Sequence, residues 1–282
     1  MAGFINHNGN FMPADQPVLN VNNRGFRYGD ALFETIRYSN GKPLFLKEHL
    51  QRLLNGMRVL KMKQHPLFSV TFFEEMIKEL SQKNAIGTDA RVRLTVYRND
   101  GGFYAPSDDQ VSYLMEMYPV QEKGYVLNST GLTVDLFTEF RKTPNSLASI
   151  KSANSAIYVL AGVYKNQQQL DECILSNDKS HIIEAISSNI FAVKNGVLYT
   201  PPVTDGCVDG VMRKKIIEVA QQNRVAVYEI SIMQNVLLGA DELFLTNTIK
   251  GIQWVAAFKQ KRYTNNTSEK LIAKLNELVV SC

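Results

Sequence analysis

The pattern of apolar and polar positions opens on a hairpin. Phe4-Ile5-Asn6-His7 and Asn10-Phe11-Met12 flank Asn8-Gly9, and Asn-Gly supplies the positive φ angles of a type I′ turn. From Leu46 to Leu60 the period changes. Leu50, Leu53, Leu54 and Met57 share one helical face, and Phe72, Phe73, Met76, Ile77 and Leu80 mark a second amphipathic helix. Two such helices predict a cover for one face of a sheet, with further strands at Arg91 to Arg98 and Val111 to Tyr118.

Pro119 to Gly124 (PVQEKG) is polar, turn-prone and too short for a flexible tether. It divides a first domain at 1–119 from a second at 125–282, with 120–124 as the connection. Beyond it, strands are expected at Leu132 to Phe137, Cys173 to Ser176, Ile190 to Val193, Val197 to Thr200, Val225 to Ile230 and Glu242 to Thr246. Helices are expected at Ser155 to Gln169, Gly210 to Asn223 and Ser268 to Val280. Short strands interleaved with helices predict an α+β (mixed α/β) chain of two domains.

Composition narrows the class. With 45% hydrophobic and 21% charged residues the chain is globular rather than disordered or fibrous. The net charge of +4 is not gathered into any long block, so neither nucleic acid nor a membrane surface is an expected partner, whereas small anions are. Cys173, Cys207 and Cys282 are too few and too widely spaced for a disulfide framework or a zinc motif. The first residues, MAGFINHNGN, lack the basic and apolar regions of a signal peptide, and no apolar run reaches the roughly 18 residues of a spanning helix. The expectation is a cytoplasmic protein. Its four His residues are not spaced as a metal pair, so no metal site is expected. The sequence contains no GxxxxGK[ST], GxGxxG, HExxH or GxSxG motif, which removes the usual support for nucleotide hydrolysis, dinucleotide redox, zinc proteolysis and serine hydrolysis.

Four segments carry chemistry together: SIKSAN at Ser149 to Asn154, EAISSNIF at Glu184 to Phe191, GVMR at Gly210 to Arg213 and LTNTIKGI at Leu245 to Ile252. FRYGDALFETIR at Phe26 to Arg37 and LKEHLQRL at Leu46 to Leu53 precede them. In order and spacing these six segments resemble the class IV, or fold-type IV, pyridoxal 5'-phosphate enzymes: branched-chain aminotransferases, D-amino-acid aminotransferases and aminodeoxychorismate lyases. The resemblance spans nearly the whole chain. It implies a smaller N-terminal α/β sandwich, a larger C-terminal pseudo-barrel, pyridoxal 5'-phosphate as cofactor, and a homodimer.

By the same resemblance Lys151 holds the cofactor as a Schiff base and acts as the catalytic base. An amine in that role must be deprotonated, through desolvation or a nearby cation. Read alone, a lysine at the edge of an apolar segment is a snorkelling surface residue. Glu184, flanked by Ile182, Ile183, Ala185 and Ile186, suits a partner for the protonated pyridine nitrogen, which makes the ring an electron sink; read alone it is a strand residue facing water. Asn189 holds the backbone or the Glu184 carboxylate in place. Gly210, Val211 and Met212 open a helix whose N–H groups suit a phosphate, or else form an ordinary glycine-capped helix start. Thr248 in LTNT matches the family's phosphate-binding hydroxyl, and Asn247 beside it is expected in the cofactor site as well. Arg52 matches its phosphate-binding arginine, although the helical period sets it about 160 to 200 degrees from Leu50, where solvent is expected.

Substrate contacts are expected from Tyr28, Phe33, Arg93, Tyr97 and Arg98, with Tyr104 nearby. Either arginine suits a carboxylate or a structural ion pair. The family's tyrosine five positions after the lysine is Ala156 here, and Met212 replaces a hydroxyl residue common in transaminases. Three readings follow: an aminotransferase acting on an amino acid (branched-chain or similar) and a 2-oxo acid; an aminodeoxychorismate lyase releasing pyruvate and 4-aminobenzoate; and a binding protein without catalysis. Lys151, Glu184 and Arg52 together argue against the last.

Overall fold

The structure, a computed structural model, describes residues 3–87 and 89–281. It divides into two compact units, Met1–Gly124 with Ile150–Asn154, and Tyr125–Ser149 with Ser155–Cys282.

The first unit is built on strands β1 (Phe4–His7), β2 (Asn10–Pro13), β3 (Ala31–Ser39), β4 (Lys42–Pro43), β5 (Ala90–Arg98) and β6 (Val111–Pro119), ordered β2-β1-β6-β5-β3-β4 and antiparallel throughout. Asn8 and Gly9 take φ of 51° and 87°, the left-handed angles the first hairpin requires. Helix α1 (Arg24–Tyr28) precedes β3. Helices α2 (Leu46–Val59) and α3 (Val70–Lys83) cover one sheet face. There Leu50, Leu53, Met57, Phe73, Ile77 and Leu80 meet Leu32, Ile36, Val92, Leu94 and Met115 in one core. The opposite face keeps Phe33, Thr35, Arg93 and Thr95 only partly buried.

The second unit contains β7 (Leu132–Leu136), α4 (Ala156–Gln167), β8 (Glu172–Ser176), β9 (Ile182–Ala185), β10 (Asn189–Lys194), β11 (Val197–Thr200), α5 (Val211–Gln222), β12 (Val227–Glu229), α6 (Gln234–Gly239), β13 (Glu242–Asn247), β14 (Gly251–Phe258), β15 (Lys261–Arg262) and α7 (Asn266–Ser281). Strands run β10-β13-β14-β7-β8-β9, and β9 pairs back with β10, so six strands close on themselves. This is the expected pseudo-barrel. Its core includes Val134, Ile174, Ile190, Leu243, Leu245 and Val255. Helices α5 and α7 pack on each other and on the sheet.

The pattern reading left β3, β9 and β14 unassigned, along with the two-residue β4 and β15. In β3 the charged Glu34 and Arg37 are buried, each satisfied by an ion pair, so polarity does not alternate with exposure. In β9 all four residues are buried, and β14 is covered over most of its length; strands enclosed on both faces lose the period of two. The strand expected at Val225 to Ile230 narrows to Val227–Glu229.

Candidate active site

Lys151 belongs by its contacts to the first unit. Its backbone is laid against β3: Phe33 N–H donates to Lys151 O at 2.9 Å, Ala153 N–H donates to Ala31 O at 2.8 Å, and Leu32 bridges Ser152. The Lys151 Nζ stands 4.5 Å from the centre of the Phe33 ring, and the Arg93 guanidinium 4.0 Å from the same ring. Across the sheet Phe33 pairs with Thr95 and Thr35 with Arg93, so these side chains share a face. An amine and a guanidinium therefore meet on one aromatic surface.

Arg93 and Arg98 part company because strand residues alternate. Arg98 turns to the helix-covered face, where it is buried and donates to Asp30 at 2.9 Å, to Asp109, and to the carbonyls of Leu60 at 2.6 Å and Lys61 at 3.4 Å. It is committed to structural contacts. Tyr97 shares the Arg93 face, but its hydroxyl lies 2.7 Å from His7 Nε2 and burial pushes its pKa up to about 12. Tyr28 lies against Tyr104, ring centres 5.5 Å apart, with Arg24 at 5.0 Å from the Tyr28 ring. Arg24 in turn grips Asp30 and the carbonyls of Gly101 and Phe103.

Arg52 is buried, not solvated as its helical position predicts. Its Nε donates to Glu34 Oε1 at 2.9 Å and its Nη2 to Glu34 Oε2 at 2.5 Å, while His49 lies 2.6 Å from Oε2 through Nδ1. Burial by itself would raise the Glu34 pKa; the Arg52 charge and the hydrogen bonds from Arg52 and His49 override it and hold the carboxyl at about 2. Burial lowers the His49 pKa below the usual histidine value.

In the second unit the turn after β9 sets Glu184 directly opposite Asn189 in the β9–β10 pairing. Both grip Val208: its N–H donates to Glu184 Oε2 at 2.9 Å, and its carbonyl accepts from Asn189 Nδ2 at 2.9 Å. Asn189 thus holds backbone. Gly210 follows, and a Cβ there would stand 1.8 Å from Asn189 Oδ1. Gly210 is the N-cap of α5 and makes no side-chain cap bond, so the first-turn N–H groups of Val211 and Met212 are not satisfied by a capping side chain. Both side chains are buried, which leaves the backbone as their contribution. Asn247 accepts from the N–H groups of Ile249 and Lys250 at 3.0 and 2.8 Å and donates to Ser188 at 2.9 Å. It shapes the turn that carries Thr248.

Two residues on Glu184 escaped the sequence reading. Lys142 Nζ donates to Glu184 Oε1 at 2.6 Å, to Tyr158 Oη at 2.7 Å and to Ala148 O at 2.9 Å; Tyr158 donates to the same Oε1 at 2.7 Å. Burial, then the Glu184 charge, pushes the Tyr158 pKa far upward, so it remains a donor. Glu34 and His49 were missed as well; their only signal was a charged residue inside an apolar strand and a histidine three positions before Arg52.

The donor sets fit the expected cofactor. A helix start without a side-chain cap suits a phosphate, a buried carboxylate anchored by three donors suits a ring N–H, and an amine over an aromatic face suits attachment of an aldehyde. Among the described residues no cluster of His, Cys, Asp or Glu could hold a metal ion.

The amino-transferase class IV family model matches residues 31–258. A Methanocaldococcus jannaschii protein provisionally named a branched-chain-amino-acid aminotransferase is 30% identical over 274 residues, covering 96% of this chain and 93% of that protein. The aminodeoxychorismate lyase of Bacillus subtilis is 30% identical over 278 residues, covering 93% and 89%. The solved branched-chain amino acid aminotransferase of Thermobaculum terrenum, in its PLP-form, shares the fold with a TM-score of 0.85 at 20% identity, covering 99% of this chain and 94% of that one.

Proposed function

Because this chain belongs to the class IV aminotransferase family, we propose that it moves an amino group from an amino acid, branched-chain or similar, to a 2-oxo acid with pyridoxal 5'-phosphate as cofactor. The carrying observation is the meeting of two nitrogen groups on the Phe33 ring, the Lys151 amine at 4.5 Å and the Arg93 guanidinium at 4.0 Å. Lys151 would hold the cofactor through its amine and, once released, carry the proton away from the substrate α-carbon and return it. Arg93 would take the substrate carboxylate, with Phe33, Tyr28 and Tyr97 shaping the pocket; Arg98, held by Asp30 and Asp109, positions the strand that carries Arg93. Glu184 would pair with the ring nitrogen, oriented by Lys142, Tyr158 and the Val208 N–H. The N–H groups of Val211 and Met212, the Thr248 hydroxyl and Arg52 would take the phosphate, while Asn189, Gly210 and Asn247 shape the turns that present them. When bound, the cofactor supplies an electron sink for the carbanion at the α-carbon.

The support for a homodimer is the apolar surface on α4, where Val159, Leu160 and Val163 are exposed. A reducing, cytoplasmic setting suits Cys173 and Cys207, which are free and buried. No described helix is long and apolar enough to cross a membrane.

The test is to add single amino acids to the purified, cofactor-loaded protein and follow the visible band. Conversion to a near-ultraviolet pyridoxamine form by L-Leu, L-Glu or D-Ala, with the matching 2-oxo acid in solution, is the expected result. A second reading, aminodeoxychorismate lysis, is supported by the Bacillus subtilis relative and by Met212 in GVMR. A band that survives every amino acid, together with pyruvate release from aminodeoxychorismate, would replace the first reading by the second.

A further inference from the structure

Glu34 is an anion buried in the helix-covered face of a sheet, 1% exposed, beside a histidine that is 0% exposed. A charge in that place needs a reason, because burying an ion without a partner is strongly unfavourable. We propose that Glu34 and His49 are positioning residues for Arg52, fixing the guanidinium in the one orientation that serves the cofactor phosphate. The inference rests on the reading of Arg52 as a phosphate donor given above.

An arginine on a helix surface samples many rotamers, and ordering it costs side-chain entropy. Glu34 removes that freedom in advance. Its two oxygens take Nε and Nη2 at 2.9 and 2.5 Å, a fork-to-fork contact that defines both the position and the plane of the guanidinium. The carboxylate cannot rotate away, because His49, three positions before Arg52 on α2, donates its Nδ1–H to Oε2 at 2.6 Å. The strand cannot slide, because Glu34 is paired with Leu94 in the middle of the β3–β5 ladder. With Glu34 anionic, Arg52 cationic and His49 neutral, the trio carries no net charge, so it stays buried without an uncompensated ion.

The neighbouring residue gives the arrangement its purpose. Phe33 precedes Glu34 on β3, its N–H donates to Lys151 O at 2.9 Å, and its ring lies under the Lys151 amine. One dipeptide, Phe33-Glu34, therefore registers the amine that holds the cofactor at one end and the arginine assigned to its phosphate at the other. A group that only stabilised the fold would act on both ends alike. A clamp on Arg52 acts on the phosphate end alone.

The experiment compares pyridoxal 5'-phosphate with pyridoxal, which lacks the phosphate, by titrating each into cofactor-stripped wild type, Glu34→Gln, His49→Gln and Arg52→Met and following the visible band. Glu34→Gln is expected to weaken pyridoxal 5'-phosphate by about tenfold or more while moving pyridoxal by less than about twofold, with Arg52→Met showing the same selective loss and His49→Gln a smaller one. Equal weakening of both ligands, or no change in either, overturns the proposal. Should Glu34→Gln fail to melt cooperatively, His49→Gln decides, since it leaves the Glu34–Arg52 fork in place. An Arg52→Met chain that keeps its preference for the phosphate form overturns the Arg52 assignment and the clamp with it. A wild type that takes up neither ligand overturns the proposed function itself.

Discussion

The carboxylate of Glu184 is defined by its donors: Lys142 and Tyr158 on one oxygen and the Val208 N–H on the other. Removing the cation strands a buried anion, so Lys142→Met is expected to cost about 3 kcal/mol or more of stability. Tyr158→Phe removes one hydroxyl donor and is expected to cost about 1 kcal/mol. Urea unfolding of the two variants checks the order; a larger loss from Tyr158→Phe would make the tyrosine the main support. Glu34 adds a pH signature. Its folded carboxyl is lowered from 4.5 to about 2, so its contribution is fully present above about pH 4.5 and is lost as the pH falls toward 2. The stability difference between wild type and Glu34→Gln should therefore be largest near neutrality and shrink through that window, as denaturant titrations at pH 7, 4 and 3 would show. At this scale legibility was uneven for a definite reason. A helical period reports which positions prefer oil to water, and on that measure Arg52 faces out. It is silent about an acid eighteen residues earlier that makes the inward position tolerable.

Elements were easier to read where their own residues set them. The Asn8-Gly9 hairpin, α2, α3, α5 and α7 follow from turn chemistry, apolar spacing and the polar breaks between them. Strands β3, β9 and β14 needed knowledge of what lies on both faces, which no local window contains. The start of α5 shows the same division. Its glycine reads as a helix cap, yet the demand for glycine comes from Asn189, on a strand well before it in the chain, whose Oδ1 would lie 1.8 Å from a Cβ at Gly210. Gly210→Ala must then push Asn189 away from the Val208 carbonyl and loosen the turn that also binds Glu184. The expected result is a lower melting temperature and weaker uptake of the cofactor. Shortening the obstacle in Gly210→Ala/Asn189→Ala relieves the clash, so the double variant should melt no lower than Gly210→Ala alone, a non-additive result expected of residues in contact. Strictly additive losses in the thermal melts would mean that the close approach is not what fixes the glycine.

For the molecule as a whole, the pseudo-barrel was foreseeable only through the resemblance of six ordered segments; periodicity went no further than a helix-covered sheet in the first domain and short strands interleaved with helices in the second. The surface of α4 tests the largest of the remaining expectations. This helix begins at Ala156, five residues after Lys151, and among its residues Ala161 is fully buried while Val159, Leu160 and Val163 are exposed. Most surface helices turn their apolar side chains inward, so an apolar outer face calls for a cover. If a second copy of the chain supplies it, wild type should sediment at twice 31.8 kDa, and charge on that face should abolish the pairing without disturbing what lies beneath. Val159→Lys/Val163→Lys is accordingly expected to sediment as a monomer with an unchanged far-ultraviolet spectrum, because both substituted side chains already face outward. A wild type that sediments at 31.8 kDa, or a double variant that still pairs, would remove α4 from the interface and leave its apolar face to another partner.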